Sequence, residues 1–125
     1  LQTVKMNGNP VKRISPSLGA LPAVNLSCEL GGIENVPDVW LKKGEYGVVT
    51  YLQKAYTEIS VGCLDFSSCG ISRLPADISD FIPIQELFLV NNDIDRLPAA
   101  LGTLTNLTNL ACQENRLAAL PREVQ

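Results

Sequence analysis

The chain of 125 residues contains no histidine. That removes the side chain that most often acts as a general base near neutral pH and most often binds a transition metal. No two of its four cysteines, Cys28, Cys63, Cys69 and Cys112, have the two-residue spacing of a zinc knuckle. No apolar run approaches the roughly 18 residues of a membrane-spanning helix, and the opening LQTVKMNGNP lacks the basic-then-apolar layout of a signal peptide. Cationic charge is sparse. The formal net charge is −3, and Lys12-Arg13 and Lys42-Lys43 are the only adjacent basic pairs. Binding to phosphate backbones rests on a concentrated positive face, so nucleic acid is not an expected partner. There is no glycine-rich phosphate loop: Gly31-Gly32 and Asn7-Gly8-Asn9 are turn chemistry. Acidic residues are plentiful, but none pairs at a spacing that argues for acid–base catalysis. The expectation is a non-catalytic chain without metal or cofactor.

What is present is repetition. The segments LDFSSCGISRLPADI (64–78), LFLVNNDIDRLPAAL (87–101) and LACQENRLAALPREV (110–124) recur at intervals of 23, sharing L-x-L-x-x-N/C-x-L-x-x-L-P-x-x-L. The frame also fits VKMNGNPVKRISPSL (4–18) and LSCELGGIENVPDVW (26–40), which starts 22 residues later. All five copies are apolar at four positions: Val4, Met6, Val11, Ile14; Leu26, Cys28, Ile33, Val36; Leu64, Phe66, Ile71, Leu74; Leu87, Leu89, Ile94, Leu97; Leu110, Cys112, Leu117, Leu120. With 46% hydrophobic and 18% charged residues, the chain supports one modest core.

This unit resembles the leucine-rich repeat family, in its 23-residue, Leu-Pro-containing class found in intracellular proteins such as the Ras-suppressor and plant Ras-group-related proteins. A unit of this size cannot bury its own apolar edge, so copies must stack and share a core. The resemblance implies an α/β architecture: a curved solenoid with short parallel strands on a concave face, beginning near Val4, Leu26, Leu64, Leu87 and Leu110. Its outer side would be irregular, 3-10 or helical. Residues 1–40 read as two repeats, the second degenerate, and 61–125 as three regular ones. A chain opening on Leu1 and stopping at PREVQ reads as a piece of something longer.

The position directly after each strand is filled by Asn9, Gly31, Cys69, Asn92 and Asn115. An amide there can satisfy backbone groups of its own turn and of the next repeat. Cys69 is a weaker substitute and Gly31 offers nothing, so the second repeat is expected to be looser. Proline recurs after Val36, Leu74, Leu97 and Leu120, where the strand ladder has ended and its missing N–H does no harm.

Between the second and third copies the interval grows to 38. Val48, Val49, Leu52, Ala55 and Tyr56 recur there at helical spacing, predicting an amphipathic helix from about Glu45 to Glu58, although Gly47 and β-branched residues oppose it. In the same family a segment similar to Gly44-Glu45-Tyr46-Gly47-Val48-Val49-Thr50-Tyr51-Leu52 follows a repeat containing Asn7-Gly8-Asn9-Pro10 and closes a stack. Residues 41–60 therefore read either as a cap between two blocks of repeats or as an insertion within one.

The remaining information lies on the strand face that points away from the core. Its central row is Lys5, Ser27, Asp65, Phe88 and Ala111, with Glu86, Val90 and Gln113 around it. Phe88 and Val90 are apolar among polar and acidic neighbours, the composition of an aromatic anchor at a protein interface. Glu29, Asp65, Glu86 and Glu114 add negative potential, favouring a polypeptide partner with basic and apolar side chains. The expected function is a cytoplasmic interaction module in a signalling scaffold or a cytoskeletal or ciliary assembly. One competing reading is a targeting segment of a multidomain enzyme of kinase–GTPase or cyclase type. Another is an extracellular receptor fragment, since Asn25-Leu26-Ser27 and Asn106-Leu107-Thr108 are glycosylation triplets. Cys28, Cys69 and Cys112 occupy repeat positions that explain them as structural thiols, which favours a reducing compartment.

Overall fold

The structure, a computed structural model, describes residues 3–21, 24–75 and 77–119. Leu120 and Pro121, which complete the fifth copy of the repeat, lie outside the described residues. The fold is mixed α/β, with five three-residue strands: β1 (Thr3–Lys5), β2 (Asn25–Ser27), β3 (Cys63–Asp65), β4 (Glu86–Phe88) and β5 (Asn109–Ala111). Each is centred on the first apolar residue of a repeat. All pairings are parallel, Val4 opposite Leu26 in one sheet and Leu64, Leu87 and Leu110 in register in the other.

The strands are short because the chain turns away at the same place each time. Gly8, Ser68, Asn91 and Glu114, equivalent residues in four repeats, all have positive φ, between 55° and 84°. In the second repeat the equivalent residue is Leu30, whose branched side chain disfavours that conformation. It packs half-buried against the core instead. The return segments carry 3-10 turns at Pro16–Ala20, Ser79–Phe81 and Ala99–Thr103.

One core runs through both sheets, from Ile14 and Leu26 to Leu101 and Leu104. Its end positions Val4, Met6, Leu110, Cys112 and Leu117 are only half-buried. A short helix α1 (Asp38–Leu41) leads into the main helix α2 (Gly44–Ser60). The helix buries Gly47, Val48, Tyr51, Leu52 and Ala55, a stripe rotated from the expected one: Tyr51 is fully enclosed, while Tyr56 is 42% exposed. Gly47 is a packing requirement, because a Cβ there would collide with the Trp40 carbonyl and the Lys43 side chain. A Cβ at Gly19 would likewise strike the backbone of α2 at Leu52.

Helix α2 packs against both β2 and β3, and the described strands form two sheets, β1-β2 and β3-β4-β5, rather than one. At the free edge of β3, the Asp65 N–H donates to Oε1 of Glu58 on α2 at 2.7 Å. The helix thus satisfies a group that a neighbouring strand would otherwise meet. An aromatic cluster holds this joint: Trp40 lies 5.2 Å from Tyr51 and 5.6 Å from Phe66, and Phe66 lies 6.0 Å from Phe81, centroid to centroid. Burying each such ring contributes roughly 1.5–3 kcal/mol. On the return side Arg13 reaches Asp77 and Asp80, and Asn35 donates to Asp80 at 2.9 Å, tying the first two repeats to the third.

Candidate functional site

The candidate site is the outward side of the strands, and parallel register sets its rows. Cys63, Glu86 and Asn109 form one row and Asp65, Phe88 and Ala111 the next. The ladder continues beyond the strands through Ser68 N–H to the Val90 carbonyl at 2.9 Å and Asn91 N–H to the Gln113 carbonyl at 3.0 Å. Six of the expected face residues therefore share one sheet: Asp65, Glu86, Phe88, Val90, Ala111 and Gln113. Lys5 and Ser27 are paired with each other on the other sheet, separated from the rest by α2. The expected row of five is interrupted because the edge of β3 is bonded to a helix carboxylate instead of to β2.

Leu87 and Leu89 are fully enclosed, whereas Phe88 and Val90 are half-buried and lie outside the core. Two-residue alternation in a strand requires this division. Carboxylates surround them. The N–H of Ser67 donates to Asp65 Oδ1 at 2.9 Å and, with the Ser67 hydroxyl and Lys54 adding less, holds the Asp65 carboxyl below its ordinary range. Glu86 Oε2 accepts from Asn109 Nδ2 at 3.3 Å. Burial, then the charges of Glu86, Asp65 and Glu58, pushes the Cys63 thiol upward, away from the nucleophilic thiolate. All four cysteines are free; Cys28 is buried, while Cys69 and Cys112 are half-buried. Among the described residues, no three His, Cys, Asp or Glu side chains are grouped to hold a metal ion, and no helix is long and apolar enough to cross a membrane.

The amides behind the face bond backward along the stack. Asn92 Oδ1 accepts the N–H groups of Cys69 and Ile71 at 3.0 and 3.1 Å, and its Nδ2 donates to the Phe66 and Leu89 carbonyls at 2.9 and 3.0 Å. Asn115 does the same for the Ile94 N–H and the Leu89 carbonyl. The partner repeat is thus the preceding one rather than the following one. Among the described residues, the Asn9 side chain bonds only within its turn, to the Met6 carbonyl at 3.1 Å. Cys69 makes a weak bond to the Ser67 carbonyl, and Gly31 is exposed.

Sequence reasoning missed Asn35. This buried amide accepts the Ile14 N–H at 3.1 Å and donates to the Ile14 carbonyl at 2.8 Å, linking the second repeat to the first where Gly31 cannot. A signal existed: the equivalent residue is Arg13, Arg73 and Arg96 in three other copies and Ala119 in the last, so a short amide stands out. Glu58 was also missed; the helical Lys54–Glu58 spacing announces an ion pair but not the strand edge it seals.

No family model matches the chain. Leucine-rich repeat protein SHOC-2 of Danio rerio is 34% identical over 95 residues, 74% of this chain and 17% of that protein. The leucine-rich repeat protein soc-2 homolog of Drosophila ananassae is 37% identical over 67 residues, 54% of this chain and 10% of its own length. Leucine-rich repeat-containing protein 7 of Rattus norvegicus is 31% identical over 65 residues, 51% of this chain and 4% of its own length. The chain thus spans less than a fifth of each of these relatives. With a 23-residue unit, parallel strands in matching register, and the amides of Asn92 and Asn115 tying their units to the ones before, the chain is a leucine-rich repeat protein.

Proposed function

We propose that this chain is a non-catalytic protein-interaction module whose outward strand face, the concave side of a repeat solenoid, holds a segment of another polypeptide. The supporting observation is the placement of Phe88 and Val90, apolar and outside the core, at the centre of a rigid three-stranded sheet rimmed by Asp65, Glu86 and Glu114. An aromatic anchor within a polar, acidic surround suits a guest with apolar and basic side chains. The free thiols fit a cytoplasmic setting, and a signalling, cytoskeletal or ciliary scaffold is the assembly to look in. The separate sheets favour reading α2 as a cap between a block ending near residue 60 and another starting near 61.

The test compares two neighbours. Phe88→Ala is expected to weaken partner capture with little change in melting temperature. Leu89→Ala, in the core, is expected to cost about 2–5 kcal/mol. Equal destabilisation by the two would show that Phe88 does not face outward. A targeting role within a larger enzyme draws on the greater length of the relatives, and catalytic motifs elsewhere in the full protein would favour it. Glycan on Asn25 or Asn106 would favour an extracellular receptor.

A further inference from the structure

We infer that the outward face contains a seat for an arginine side chain of the bound polypeptide, its guanidinium stacked on the Phe88 ring between the carboxylates of Asp65 and Glu86. The inference rests on the interaction reading above and specifies its chemistry. Asp65 is the register partner of Phe88 on β3, and Glu86 lies two residues before it on β4. Neighbouring strands are about 4.8 Å apart and alternate residues of one strand about 6.6 Å, so one planar group over the ring reaches both acids. Both carboxylates are pre-oriented, Asp65 by the Ser67 N–H and Glu86 by the Asn109 amide. Neither takes part in an ion pair among the described residues. The nearest helical cation, Lys54, is committed elsewhere: it pairs with Glu58 at 2.5 Å and sits 5.8 Å from the buried Phe66 ring. The face therefore carries negative charge beside an aromatic surface, eased at Asp65 only by the field of Lys54.

Arginine fits this arrangement better than lysine. The guanidinium is planar and weakly hydrated, stacks on an aromatic face and offers a fork to a carboxylate, whereas an ammonium is a strongly hydrated point charge.

The experiment selects phage-displayed random twelve-residue peptides on the folded protein, with Phe88→Ala as the counter-target. The best peptide and its Arg→Lys form are then titrated calorimetrically against wild type, Phe88→Leu and Asp65→Asn, each checked by thermal melt. Peptides that require Phe88 and carry an arginine beside an apolar residue are expected. The Arg→Lys change should weaken binding roughly tenfold on wild type and about twofold or less on Phe88→Leu. Peptides that require Phe88 but lack arginine, or tolerate lysine equally, would overturn the arginine seat and leave the interaction face standing. Failure to recover any peptide sensitive to Phe88→Ala would overturn both.

Discussion

At the scale of single residues, one repeat position carries two different energies. Asn92 is buried and bonds four backbone groups drawn from two repeats and their turn. Replacing it with Leu keeps much of the volume but orphans those groups, so Asn92→Leu is expected to cost about 2 kcal/mol or more. Asn9 is exposed and makes one local bond, so Asn9→Ala is expected to cost under about 1 kcal/mol. Chemical denaturation of the two variants checks the contrast. Sequence alone identifies the position, because Asn recurs at it, but not the ranking. The ranking depends on whether a preceding repeat is stacked against the amide, and only the fold supplies that neighbour. Asn35 was harder to find for the converse reason: it performs the same office from a different place in its repeat.

Elements were readable to different depths. The five strands follow from the spacing of Val4, Leu26, Leu64, Leu87 and Leu110, since a sustained period leaves one alignment that buries every apolar position. The main helix was expected between Glu45 and Glu58 and extends from Gly44 to Ser60. Its buried stripe was misplaced because Val49 and Tyr56 are as apolar as Val48 and Tyr51, and only the packing of α1, the Pro16–Ala20 turn and the flanking strands against the helix decides which residues turn inward. Gly47 records that approach. In an exposed helix Gly→Ala would stabilise by roughly 0.5–1 kcal/mol, yet here the added methyl would strike the Trp40 carbonyl. Gly47→Ala is therefore expected to lower the melting temperature and to shift the emission of Trp40, the only tryptophan. A rise in stability would show that α1 and α2 do not meet this closely. Nothing in the sequence announces that β2 and β3 fail to pair, because the seal depends on a carboxylate seven residues before the amide it meets.

For the whole molecule, the contacts of Arg13 with Asp77 and Asp80 bind distant parts of the chain, and the surroundings of Asp77 make its stability pH-dependent. The Ser79 hydroxyl and N–H, with a smaller contribution from Arg13, hold the Asp77 carboxyl below its ordinary 3.8. The unfolded chain then binds protons more readily in acid than the folded one. The stabilisation is complete above pH 3.8 and fades as pH falls through the lower folded value. Melting curves across this range are expected to show a steeper acid decline for wild type than for Asp77→Asn, and parallel curves would refute the assignment. The recurrent turn has a different consequence. Glycine adopts the positive φ freely at Gly8 and Asn91 tolerates it, but Ser68 and Glu114 hold it at about 1–2 kcal/mol each relative to the right-handed form. Glu114→Gly, assayed by calorimetric melting, is expected to match or exceed wild type. The protein thus keeps unspent thermal headroom in the turns that follow its strands, open to an engineer without a single change to the core.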